Sequence, residues 1–65
     1  MNKNDKIKVL EKDEKGEWNV LFRGIAVDVG THFARVWDPS DGAKSHREFG
    51  EMLPLDGPRL KVVRA

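Results

Sequence analysis

Residues 17–38, EWNVLFRGIAVDVGTHFARVWD, constrain the fold of this chain more than any other stretch. They hold both tryptophans, two of the three phenylalanines and most of the β-branched residues. Trp18, Val20 and Phe22 share one parity, while Ile25, Val27 and Val29 share the other. A strand has a side-chain period of two, so the change of parity demands an inserted residue or a turn. Gly24 could supply either one. A bent strand is favoured over a two-residue hairpin at Arg23-Gly24, because arginine is poor where φ > 0 is needed. On that reading residues 18–29 form a core wall bent at Gly24.

Residues 32–37, HFARVW, make the next strand. Its two faces are Phe33, Arg35, Trp37 and His32, Ala34, Val36. Burying the aromatic face removes more apolar area from water and is the expected arrangement. If Ala34 and Val36 are buried instead, an aromatic–basic–aromatic stripe is exposed.

The remaining elements follow from alternation and turn chemistry. Residues 1–5 are polar and expected to fray. In residues 6–10, KIKVL, two lysines alternate with Ile7 and Val9 as in a half-buried strand. Residues 11–16, EKDEKG, read as a solvated turn, and residues 38–42, DPSDG, as the clearest turn in the chain. Residues 43–49, AKSHREF, are polar on both faces and suit an edge strand. Ser45 and Glu48 also stand at capping-box spacing, so a short helix competes there. Residues 53–58 read as a loop. Residues 59–64, RLKVVR, form a last strand with Leu60 and Val62 facing inward. The expected fold is all-β: residues 6–65 form one small five-stranded SH3-like barrel, with a short 3-10 or helical turn near residues 46–53.

At 65 residues, burial barely outweighs ordering entropy, and small domains usually gain extra stability from a disulfide, a metal or a partner. The absence of cysteine excludes a disulfide and a thiolate metal site. A homo-oligomer is therefore about as expected as a monomer. No apolar leader or membrane-length apolar run is visible, so a soluble, cytoplasmic protein is expected.

No nucleophile, base and orienter stand at workable spacing. Ser45 and His46 are adjacent, so on a strand they point to opposite faces. Asp38 and Asp41 belong to a turn that uses aspartate to cap its own backbone. His32 and His46 could face each other, but two imidazoles alone make a weak metal site. The expectation is a non-enzymatic binding module with no cofactor and no metal.

Two kinds of partner fit. Phe33, Arg35 and Trp37, with His46 and Arg47 and the basic C-terminal Arg59, Lys61 and Arg64, could stack bases and neutralise phosphates. Trp and Arg are also the usual anchors of protein interfaces, and Trp18 or Trp37 could serve a protein-interaction or regulatory module that self-associates. A formal net charge of +1 argues against attachment to DNA by bulk charge alone. His46-Arg47-Glu48, following Val36-Trp37-Asp38-Pro39, resembles an element of the carbon-storage-regulator family of small RNA-binding dimers. That family's N-terminal strand motif is absent here, and Phe49-Gly50 replaces its helix-starting acidic residues. No role is carried over.

Overall fold

The computed structural model describes residues 1–40 and 50–65. It is all-β. Five strands, β1 (Lys6–Lys12), β2 (Trp18–Val29), β3 (Phe33–Trp37), β4 (Glu51–Pro54) and β5 (Leu60–Arg64), form one antiparallel sheet in the order β4-β3-β2-β1-β5. The sheet curls until β4 and β5, its two edges, come together through the turn at residues 55–59. They do not hydrogen-bond as neighbours, so the sheet is not closed into a barrel. No helix among the described residues is long and apolar enough to cross a membrane.

The inner face carries the core. Ile7 and Val9 of β1, Ala26 of β2, Ala34 and Val36 of β3, Leu53 of β4 and Val62 of β5 are buried together. Met1, Phe22, Val29, Leu55 and Leu60 pack around them. Register explains the set: Val9 pairs with Val62, Ala26 with Val36, and Ala34 with Leu53. Directly paired residues in an antiparallel ladder share a face.

β2 is one continuous bent strand, but its parity does not change at Gly24. Ile7 pairs with Gly24 and Val9 with Phe22, so residues 22, 24 and 26 face inward. The register slips on either side of them. Val9 opposes Phe22 while Leu10 opposes Val20, which leaves Leu21 as an inserted residue. Ala26 opposes Val36 while Asp28 opposes Arg35, which leaves Val27 as another. Each bulge turns the following side chains over and adds bend. Trp18 and Val20 therefore lie on the outer face, not in the core wall. Gly24 serves close approach instead. A Cβ there would strike the carbonyl oxygen of Trp37 and meet Val36 Cγ1 at 3.3 Å.

The chain ends and turns are held by backbone and carboxylate bonds. Asn4 N donates to Ala26 O at 2.7 Å, and Ala26 N donates to Asp5 O at 2.9 Å. The Asp38 carboxylate accepts from Ser40 N at 2.9 Å and Ser40 Oγ at 2.6 Å, the self-capping expected of this turn. Residues 51–54, expected to turn or loop, are strand β4, whose Leu53 seals the core against Ala34. The strand or helix expected over residues 43–49 lies outside the described residues.

Candidate binding site on the outer sheet face

The expected burial of Phe33, Arg35 and Trp37 is reversed. Ala34 and Val36 face the core, so the stripe of Phe33, Arg35 and Trp37 stands on the outer face. The physical reason is curvature. Side chains converge on the concave side of a curled sheet, where alanine and valine fit and aromatic rings do not. Phe33 is exposed there, and Arg35 and Trp37 are half-buried. The Trp37 indole Nε1 is itself buried and has no acceptor among the described residues.

Register extends this face across the whole sheet. Arg35 stands between Asp28 of β2 and Met52 of β4. Trp37 pairs with Ile25, and Ile25 with Lys6. Lys8 pairs with Arg23 on one side and Val63 on the other. Leu10 lies between Val20 and Lys61, and Lys12 pairs with Trp18. Among the described residues, the outer strand positions thus carry Lys6, Lys8, Lys12, Arg23, Arg35 and Lys61 against one acid, Asp28. A chain that is nearly neutral as a whole has sorted its charge. The other acids among the described residues sit in turns, before β1 or at inner-face rim positions.

Exposed apolar groups interrupt the cations. Val20 and Leu21 lie at one end of the face, and Phe33 and Met52 at the other. The second pair opens onto a shallow groove of about 360 Å³ that also takes in Asp28, His32 and Arg35.

At the end nearest the β1–β2 turn, Lys61 Nζ lies 4.3 Å and Lys12 Nζ 5.6 Å from the Trp18 ring centroid. Both are within cation–π reach. The turn beyond is built on Asp13. Its carboxylate accepts from Lys15 N, Glu17 N and Asn19 Nδ2, each at 2.9 Å. The backbone N–H of Glu17, then the Asn19 amide, hold the Asp13 carboxyl below its ordinary pKa. Gly16 completes the turn at φ +82°, which a side chain would resist.

The expected site residues divide. Phe33, Arg35 and Trp37 form one stripe, and Lys61 shares their face three strand spacings away, roughly 14 Å along the sheet. Arg64 does not join them: it pairs with Ile7 at an inner-face position, and its Nε lies 3.4 Å from Asp5 Oδ2. Arg59 precedes β5 in the turn, where its carbonyl accepts from Lys12 N at 2.9 Å. His46 and Arg47 lie outside the described residues. Sequence patterns offer Trp18 only as a protein-interaction anchor and do not single out Lys6, Lys8, Lys12 and Arg23 as site residues, although Lys6, Lys8 and Lys12 follow directly once Ile7 and Val9 are inward. Among the described residues no three His, Asp or Glu side chains are grouped to hold a metal ion. The chain matches no family model, no curated protein and no solved structure.

Proposed function

We propose that this chain is a small non-enzymatic, cytoplasmic module that binds single-stranded nucleic acid on its outer sheet face. The supporting observation is the sorting of charge: six cations against one acid at the described strand positions of that face, with exposed apolar and aromatic groups among them. Cations neutralise phosphates, and aromatic rings on a sheet accept unstacked bases whatever their sequence. Strand order and the approach of β4 to β5 support reading the curled sheet as an SH3-like barrel.

Affinity for a single-stranded oligonucleotide, measured from 50 to 200 mM salt, tests the proposal. If Lys6, Lys8, Lys12, Arg23 and Lys61 each neutralise one phosphate, the log–log slope is about −3.5, a fall in affinity of roughly 10²-fold. No binding at 50 mM salt overturns it.

A second reading rests on a different observation. β4 and β5 end the sheet, and their outward N–H and C=O groups have no neighbouring strand among the described residues. Such edges template pairing with another chain, so self-association as a homo-oligomer is the competing function. Sedimentation showing only monomer at high concentration removes it.

A further inference from the structure

We propose that Lys12 and Lys61 together form a phosphate subsite at one end of the outer face, with Trp18 as the platform that positions them. This rests on the nucleic-acid reading and gives it a location. The two lysines come from neighbouring strands, β1 and β5, and converge on a single indole ring. Neither has an ion-pair partner among the described residues. Bringing two like charges to one ring is unfavourable unless each is offset. The ring's π-face offsets part of it, and two phosphates of one strand, one against each ammonium group, would offset the rest.

The surroundings favour a polyanion over a lone anion. Lys12, Lys8 and Lys6 share the outer face of β1, where successive same-face positions are about 6.6 Å apart. That is about twice the ~3.4 Å rise per nucleotide of a stacked strand, so the row matches alternate phosphates of a stacked strand or neighbouring phosphates of a more extended one. Leu10 interrupts the row, and Lys61, directly opposite Leu10 on β5, restores the cation at that level. At the far side of Trp18 the turn carries Asp13, Glu14 and Glu17, whose charge repels phosphate and ends the track. Exposed Phe33 and Met52 mark the opposite end, where bases rather than phosphates would be received.

The test is the salt dependence of binding to a single-stranded oligonucleotide for the full chain and for Lys12→Gln, Lys61→Gln and the double variant. Lys15→Gln, in the exposed turn, is the control, and circular dichroism verifies folding of each protein. Each phosphate left without its lysine lowers the steepness of the slope by about 0.7. The fall in affinity between 50 and 200 mM salt therefore shrinks about 2.6-fold in each single variant and about 7-fold in the double variant. Lys61→Arg keeps the wild-type slope, as does Lys15→Gln. If the wild-type chain binds but Lys12→Gln and Lys61→Gln keep its slope, the subsite is wrong and the nucleic-acid reading stands. If the wild-type chain does not bind at 50 mM salt, both fall. Binding to phosphatidylserine vesicles without binding to the oligonucleotide overturns both in favour of a lipid surface.

Discussion

Phe33 and Ala34 are neighbours on β3, yet Phe33 is 51% exposed and Ala34 is 1% exposed. The larger side chain is outside and the smaller one inside. This inversion leaves an aromatic ring on the outer face and only a methyl group in the core. Two outcomes follow from it. Phe33→Ser should change the unfolding free energy by no more than about 0.5 kcal/mol, as surface substitutions do. Ala34→Leu should cost about 1–3 kcal/mol, because it overfills the concave side. Urea denaturation of the two variants checks both.

Gly24 should be intolerant for a reason that lies in another strand. Its missing Cβ is the space occupied by the Trp37 carbonyl, which is backbone and cannot swing aside. Gly24→Ala should cost about 1–3 kcal/mol through displacement of the β2–β3 pair, despite the better intrinsic strand behaviour of alanine. Thermal unfolding measures it.

The core has little redundancy. Among the described residues, Ile7 and Val9 are the largest fully buried side chains, and seven residues make up the buried set. A chain of this length holds roughly 3–10 kcal/mol of stability at about 0.05–0.15 kcal/mol per residue. Ile7→Ala should remove about 2–5 kcal/mol of it. Urea denaturation should show a markedly lower midpoint for the variant than for the wild-type chain.

Asp13 ties the β1–β2 turn to acid stability. Its folded pKa is lowered, chiefly by the Glu17 N–H, so its contribution is complete above the unfolded value of about 3.9. That contribution is lost as pH falls through the lower folded value. Asp13→Ala should reduce the unfolding midpoint at pH 7, and the gap to the wild-type protein should close on acidification below pH ~3.9. Asp13→Asn should fall between them. It keeps an oxygen for Lys15 N and Glu17 N but presents an amide to the Asn19 amide.

Much of the fold is legible in residue patterns, and the misreadings have physical causes. Ile7 and Val9 alternate with lysines, so the inward face of β1 is unambiguous. The bend in β2 is legible, but its location is not. The inserted residues are Leu21 and Val27, and an apolar insertion inside an apolar run leaves no mark on the parity count. Residues 32–37 are apolar on both faces, and area burial alone points to the wrong one. Curvature decides it, and curvature is a property of the assembled sheet. β4 is hidden by Gly50 and Pro54, which bracket it and signal a turn. Of the site, the stripe of Phe33, Arg35 and Trp37 is visible as a pattern. Lys6, Lys8 and Lys12 follow from the alternation of β1, but placing Arg23 and Lys61 beside them needs the register of β1 against β2 and β5, which no local sequence signal carries.

Whether the outer sheet face receives nucleic acid can be read directly from the backbone amides. An NMR titration of the ¹⁵N-labelled chain with a single-stranded oligonucleotide at low salt tests it residue by residue. The amides of Lys8, Lys12, Arg23, Phe33, Arg35 and Lys61 and the Trp18 indole should shift progressively, while those of Asp56 and Arg64 stay in place. Shifts confined to residues 55–59 and the inner-face rim, or none at any concentration, would contradict it.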